Sequence, residues 1–130
     1  MEPSIFTKII NREISGYIID ETDEFIAFLD VFPLAKGHTL VIPKKQVDYI
    51  FDLDTDTYTR LWAFVQQVAK RVEKSIPCKR IGIAVIGLEV PHAHIHLLPL
   101  QSVEDINFSK PKLQLAKEEF EEILALIKKD

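Results

Sequence analysis

The sequence predicts an α+β fold, in which a five-stranded antiparallel sheet packs with one long helix and shorter terminal helices. Three observations lead to this prediction. Five short apolar runs are bounded by proline, glycine or aspartate, as strands commonly are. One longer segment repeats apolar residues every three or four positions, which is the period of a helix. Most of the strands also follow one another along the chain, which favours antiparallel pairing.

The first half of the chain predicts a short helix and three strands. Ser4 is a candidate cap for an amphipathic turn that ends before Gly16. Residues 17–19, 24–29 and 38–42 are the predicted strands, separated by turn-prone acidic residues and by proline.

The second half begins with the longest helix, over about residues 54–75, with Asp54 or Thr55 as its cap and Pro77 after its end. Residues 80–86 follow as a fourth strand that is apolar on both faces, so we expect it in the centre of the sheet. Residues 87–90 return the chain into a fifth strand, and a final amphipathic helix closes the sequence. The apolar stripe of the long helix comprises Tyr58, Leu61, Val65, Val68 and Val72, with Trp62 and Phe64 beside it as predicted packing residues.

Composition and charge exclude several classes of protein. A chain of 130 residues with 47% hydrophobic residues is long enough to bury one core. The net charge is −4 and basic residues occur in pairs, so we expect no nucleic-acid partner. The single cysteine, Cys78, rules out an internal disulfide. We expect no membrane partner and a cytoplasmic location, because the first residues do not resemble a signal peptide and the apolar runs are short.

Residues 91–99 carry the motif on which the functional hypothesis rests. His92, His94 and His96 occupy alternate positions, with small or apolar residues between them. Alternate side chains of a strand share a face, so we expect the three imidazoles to point the same way. A lone histidine is usually structural, but three in register cost the strand the packing that valine or isoleucine would supply. The row therefore indicates a functional site.

Two kinds of chemistry suit such a row. A metal site needs nitrogen ligands about 2 Å from one ion, whereas His92 and His96 would lie about 13 Å apart along a strand. A further ligand would have to come from His38, the fourth histidine of the chain. In the other interpretation, one imidazole attacks an electrophile while its neighbours fix its tautomer and bind substrate oxygens. We favour the nucleophile and keep a metal-dependent hydrolase as the alternative.

These residues resemble the histidine triad (HIT) family, and within it the Hint-like branch. The family signature, His-x-His-x-His followed by two apolar residues, matches residues 92–98, and residues 5–10, 28–30 and 37–45 resemble it too. The resemblance implies a single HIT-like domain over residues 1–130. Its core would lie in about residues 4–100, with a helical C-terminal extension over about residues 112–129.

The resemblance also implies a function. The protein would be a nucleotide-binding hydrolase that cleaves nucleoside 5′-phosphoramidates or related conjugates at the α-phosphate, through a nucleotidyl-histidine intermediate on His94. His92, His96 and His38 would support that nucleophile, and Asp30 would accept hydrogen bonds from the ribose. The base and sugar pocket would be lined by Ile5, Phe6, Ile9, Phe28 and Val31. A nucleotide-binding regulatory protein with incidental hydrolysis is the other hypothesis. The resemblance further implies a homodimer, and we expect no cofactor.

Three differences from Hint-like members bear on the site. The loop before the triad is short, and Glu89 stands where a phosphate-contacting serine is usual. Ser4 and Thr7 replace the Cys-x-x-Cys of some bacterial members, which removes that zinc site. The C-terminal tail, which reaches the partner's site in family dimers, is predicted here to be an independent helix.

Overall fold

The computed structural model describes residues 2–129 and contains the predicted five-stranded antiparallel sheet. In chain order the strands are β1 (Ile18–Glu21), β2 (Phe25–Leu29), β3 (Thr39–Pro43), β4 (Arg80–Ala84) and β5 (Ile95–Leu100). Their order across the sheet is β1-β2-β3-β5-β4, with every neighbouring pair antiparallel. The helices are α1 (Ile5–Ile10), α2 (Thr55–Ser75) and α3 (Lys117–Lys128), and short 3-10 turns lie at Ile50–Asp52 and Val103–Ile106. The predicted fold class is confirmed.

Helix α2 begins and ends where its sequence signals predict. The Asp54 side chain accepts a hydrogen bond from the Thr57 backbone N–H at 3.1 Å, which satisfies a free donor of the first turn. The predicted stripe faces the sheet, and the buried residues of α2 are Leu61, Phe64, Val65, Val68 and Val72. Within residues 2–129, no helix combines the length and apolar character that a membrane crossing requires.

Strand β4 lies at the edge of the sheet, so the prediction of a central position is wrong. β5 pairs with β3 on one side and with β4 on the other, and therefore takes the inner place. Ile83 of β4 consequently stays exposed to solvent. Apolar composition alone could not give the strand order, because that order depends on which distant segment completes the ladder of β3.

The two faces of the sheet carry separate cores. The larger core lies under α2 and α3, and includes Val41, Ile95 and Leu97. The smaller core lies on the opposite face under α1, where Phe6 and Ile9 pack with residues of β2 and β3. Side chains alternate between the two faces along a strand. The β5 residues next to Ile95 and Leu97 therefore point to the opposite face of the sheet, on the side of α1. This is the face on which the histidines lie.

The C-terminal helix is integrated into the larger core. α3 packs against α2 and β1, and Phe120, Ile123 and Ile127 are buried there. Tyr17 stacks on Phe120 with ring centroids 5.0 Å apart. The C-terminal helix therefore packs within its own chain, and it begins at residue 117 rather than near 112. The apolar face of α3 was visible in the sequence, but its partner surface was not.

Candidate active site

The three histidines lie where the chain enters β5. Because β5 begins at Ile95, the prediction that all three lie in a strand holds for His96 alone and is wrong for His92 and His94. The backbone N–H of Ala93 donates to the carbonyl of Val47 at 2.7 Å, outside the ladder of β3. The alternation of faces persists in spite of this, since the intervening side chains are all buried in the larger core: Ala93, Ile95 and Leu97.

His92 is fixed by hydrogen bonds on both ring nitrogens. Nε2 lies 2.7 Å from the carbonyl oxygen of Pro43, which can only accept, so Nε2 carries the proton. Nδ1 is then the acceptor, and the Ser4 hydroxyl donates to it at 2.7 Å. The same Ser4 oxygen caps α1 by accepting from the Thr7 backbone N–H at 3.0 Å. One hydroxyl therefore joins the first helix to the first histidine of the motif.

His94 is oriented by the backbone of the motif itself. Its Nδ1 lies 2.7 Å from the carbonyl oxygen of His92, so Nδ1 is the protonated nitrogen. In a neutral ring this leaves the lone pair on Nε2. The rings of Phe6 and His96 both contact it edge-on, each with a centroid distance of 5.1 Å. The arrangement holds one nitrogen of a mostly buried imidazole free for chemistry.

His38 and His96 form a directly hydrogen-bonded pair. His38 Nδ1 accepts from the Leu34 backbone N–H at 3.0 Å, so the proton of the neutral ring is on Nε2. Nε2 donates to His96 Nδ1 at 2.9 Å, and His96 must then carry its own proton on Nε2. Asp30 completes the group, with one carboxylate oxygen 3.6 Å from His38 Nε2 and the other accepting from the Phe32 N–H.

Burial favours the neutral form of three of the imidazoles, those of His38, His92 and His96. Burial, with smaller contributions from a neighbouring histidine and from Lys112, lowers the pKa of His38 to about 3 and that of His96 to about 4. Burial also lowers the pKa of His92, although the bond to the Pro43 carbonyl opposes the shift. Burial raises the pKa of Asp30. Uncharged rings at neutral pH agree with the single tautomer that each set of hydrogen bonds allows.

The structure brings together part of the predicted nucleotide pocket. Phe6, Ile9 and Phe28 belong to the smaller core, and the rings of Phe6 and Phe28 lie 5.6 Å apart. Asp30 follows β2 directly and lies beside His38. Ile5 and Val31 are half-exposed and lie outside that core.

Comparison with known proteins places these observations in a family. The protein-family model of the HIT domain matches residues 11–103 of the sequence, which include all four histidines. The chain belongs to the HIT family. An uncharacterised HIT-like protein of Borreliella burgdorferi is 34% identical, over 95% of this chain and 94% of its own length. An adenosine 5′-monophosphoramidase of Saccharomyces cerevisiae is 34% identical, over 73% of this chain and 61% of its own length.

A solved structure gives the same result for the fold. The crystal structure of a HIT-like protein from Bartonella henselae superposes with a TM-score of 0.82 and 33% identity, covering 96% of this chain and 94% of that chain. The family resemblance seen in the sequence is thereby confirmed.

One group of side chains within residues 2–129 has the spacing of a metal site. Ligand atoms of Asp30, His38 and His96 all lie within 4.8 Å of one another. The hydrogen bonds of His38 oppose this use. Its Nδ1 is occupied by the Leu34 N–H, so Nε2 is protonated and has no lone pair for a metal ion. At the position of the Cys-x-x-Cys found in some HIT proteins, the Ser4 and Thr7 hydroxyls face His92 instead.

Several residues around the histidines escaped the sequence analysis. Ser4 was predicted as a helix cap and as a replacement for a cysteine, and nothing local indicated that Gln46 would accept from the Thr7 hydroxyl and the Ser4 N–H. Phe108 lies beyond the motif and contacts the His96 ring edge-on at 4.7 Å. The Leu113 N–H donates to the Pro33 carbonyl at 2.8 Å, which holds the 107–113 segment beside the site. These contacts join segments that are distant in sequence, and no spacing rule predicts them.

Proposed function

We propose that this protein is a nucleotide hydrolase that cleaves nucleoside 5′-phosphoramidates or related conjugates at the α-phosphate, with His94 as the nucleophile. The observation that carries this proposal is the hydrogen bond from His94 Nδ1 to the His92 carbonyl, because it leaves the Nε2 lone pair available for attack. The phosphoramidase activity named for the Saccharomyces cerevisiae relative supports the choice of substrate.

The reaction takes place in two displacements. His94 Nε2 attacks the α-phosphorus, an N–P bond forms, and the bond from phosphorus to the leaving nitrogen breaks. The leaving nitrogen takes up one proton from solvent and departs as an amine. The ring, still protonated on Nδ1, now carries positive charge, which the His92 carbonyl oxygen stabilises. Water then attacks the phosphorus, the N–P bond breaks, and one proton returns to solvent with the nucleoside 5′-monophosphate.

The neighbouring histidines serve this reaction without changing charge. His96, with its Nε2–H, is a donor for a non-bridging phosphate oxygen, and His38 fixes that tautomer. His92 holds the backbone turn that presents its carbonyl to His94. Asp30 accepts from the ribose hydroxyls, and Phe6, Ile9 and Phe28 form the apolar wall for the nucleoside. Ile5 and Val31 are exposed enough to contact a base at the rim of that wall.

The test is to trap the intermediate. The purified protein is mixed with an adenosine 5′-phosphoramidate, quenched with denaturant at alkaline pH, and its intact mass is measured. We expect a nucleotidyl adduct that maps to the peptide containing His94 and is absent from His94→Ala. Turnover that disappears on treatment with a chelator and returns with zinc would favour the metal-dependent alternative. Tight nucleotide binding without any turnover would favour a regulatory protein.

We also propose that the protein forms a homodimer through the edge of β4, as the family resemblance implies. Edge strands present unpaired backbone groups, and here, apart from Arg80 at the start of the strand, the exposed side chains in and just after β4 are apolar. They are Ile83, Val85 and Ile86. Light scattering at micromolar concentration should give a dimeric mass for the wild type and a monomeric mass for Ile83→Lys. A monomeric wild type would contradict this proposal. The cytoplasmic location stays a prediction.

A further inference from the structure

The side chain of Gln46, shortly after the end of β3, joins the start of the chain to the histidine motif. The backbone N–H of Ser4 and the hydroxyl of Thr7 donate to Gln46 Oε1 at 2.8 and 2.9 Å. Gln46 Nε2 donates to the carbonyl oxygens of Glu2 at 3.0 Å and Pro91 at 3.2 Å. A side-chain amide has two N–H donors and an oxygen with two lone pairs, so every hydrogen-bonding position of Gln46 is used. The orientation of the amide is therefore fixed from two sides.

The hydrogen bond to Pro91 holds the turn that leads into the motif. The N–H of His92 donates to the carbonyl of Val90 at 2.8 Å, which closes a three-residue turn centred on Pro91. The proline ring fixes φ there, so the direction of the Pro91 carbonyl depends on ψ alone. The bond to Val90 lies within the turn, whereas the bond from Gln46 ties the turn to the segment after β3. Gln46 therefore sets the direction in which the chain enters His92.

The next peptide unit carries the acceptor that orients the proposed nucleophile. The C=O of His92 accepts from His94 Nδ1 at 2.7 Å. The N–H of the same peptide belongs to Ala93 and donates to the Val47 carbonyl at 2.7 Å. A trans peptide is planar and its C=O and N–H point in opposite directions, so Val47 holds one edge of the plane and His94 contacts the other. Gln46 and its neighbour Val47 thus hold two successive peptide units of the motif.

We propose that Gln46 is a positioning residue for His94, because its side chain holds the turn at Pro91 and so directs the His92 carbonyl that keeps the His94 proton on Nδ1. If that carbonyl turned away, the neutral ring could carry its proton on Nε2, which would remove the lone pair needed for attack. The proposal rests on the proposed function of His94 as the nucleophile, and it adds no chemical step.

The kinetic test compares the full-length wild type with Gln46→Glu, using adenosine 5′-phosphoramidate as substrate. A carboxylate here can still accept from Ser4 and Thr7, but it has no proton to donate and repels the carbonyl of Pro91. We expect kcat to fall about tenfold, because a misplacement of about 1 Å can cost about a hundredfold in rate. KM should change less than about twofold, because the groups that contact the nucleoside are unchanged.

A second measurement follows the proton of His94 directly. Proton–nitrogen correlation NMR spectra distinguish a neutral imidazole protonated on Nδ1 from one protonated on Nε2, and the His94 signals are those absent from His94→Ala. At about pH 8.5, above the reference pKa of histidine, the wild type should show His94 protonated on Nδ1. Gln46→Glu should show a mixture of the two tautomers. A residue that only stabilised the fold would lower the melting temperature without this change.

Gln101→Glu is the matched control. Gln101 Nε2 also donates to a proline carbonyl in a distant segment, that of Pro77 at 3.0 Å, but it lies just beyond the opposite end of β5 from His94. This variant should keep the kcat and the His94 tautomer of the wild type. Gln46→Met removes all four hydrogen bonds without adding a charge. It should behave as Gln46→Glu does, and it keeps the test decisive if the carboxylate variant does not fold.

The remaining outcomes separate the two proposals. Wild-type kcat in the Gln46 variants would overturn the positioning role, and so would an equal loss of kcat in Gln101→Glu. A fall in kcat with His94 still protonated on Nδ1 alone would also overturn it, because the loss would not pass through the tautomer. Failure of the wild type to hydrolyse adenosine 5′-phosphoramidate would overturn the proposed function, and the NMR comparison would then decide the role of Gln46 by itself.

Discussion

The hydroxyl of Ser4 should contribute more to stability than a helix cap does. In Ser4→Ala, α1 loses its capping oxygen, which costs about 1 kcal/mol. His92 Nδ1, on a side chain with no exposed surface, loses its donor, and a buried polar atom without a partner costs about 1–3 kcal/mol. We therefore expect the free energy of unfolding to fall by about 2–4 kcal/mol, the sum of these two losses.

Urea denaturation followed by circular dichroism measures this change. An unchanged slope of the free energy of unfolding against urea concentration would show that the folded and unfolded states keep their compactness. Asp54→Ala is the control, because the exposed Asp54 caps α2 through Thr57 and has no bond to a buried atom. It should cost about 1 kcal/mol. If Ser4→Ala lowers the free energy of unfolding no more than Asp54→Ala does, then the hydrogen bond from the Ser4 hydroxyl to His92 adds no stability. The proposed link between α1 and the motif would then be wrong.

Three further predictions concern the histidine cluster. His94→Ala should lose nearly all turnover with little change in nucleotide affinity, whereas Asp30→Ala should weaken nucleotide binding. Calorimetry measures the affinity and steady-state kinetics measure the turnover. Near-wild-type turnover in His94→Ala would rule out covalent catalysis by this residue. Stability should fall as the pH decreases from about 6.5 towards 4, because the lowered pKa values of His38 and His96 make the unfolded chain bind more protons in that window. Urea midpoints that stay constant from pH 7 to 4 would contradict this. Phe108→Ala should admit water to the His38–His96 hydrogen bond, so the proton in that bond should exchange faster with solvent in NMR spectra. Phe108→Leu should keep most of the protection of that proton from exchange.

The local structure and the chemistry of the motif could be predicted from the sequence, but the pairing of distant segments could not. Period and caps located α1 and α2, and the alternation at residues 92–96 identified the row of histidines. The edge position of β4 was missed because apolar residues serve equally a central strand and an exposed edge. The packing of α3 was missed for a similar reason, because an amphipathic helix face does not indicate which surface it packs against.

The tautomers could not be predicted at all from sequence. Which nitrogen of His38 carries a proton depends on the backbone N–H of Leu34, and which nitrogen of His94 carries one depends on the carbonyl of His92. Backbone groups are the same in every residue, so their positions become informative only after folding. The hypothesis of one nucleophile with supporting histidines came from residue type, while the roles of the individual nitrogens came from the structure.

The contacts of Ser4 and Phe108 have a consequence for how such a site can change during evolution. Both residues lie outside residues 11–103, the range that the HIT domain model matches, yet Ser4 touches His92 and Phe108 touches His96. Substitutions at either end of the chain can therefore alter the basicity and solvation of the histidines while the motif stays intact. Two HIT proteins with identical triads need not have the same reactivity, because residues outside the matched domain contact the histidines of the triad.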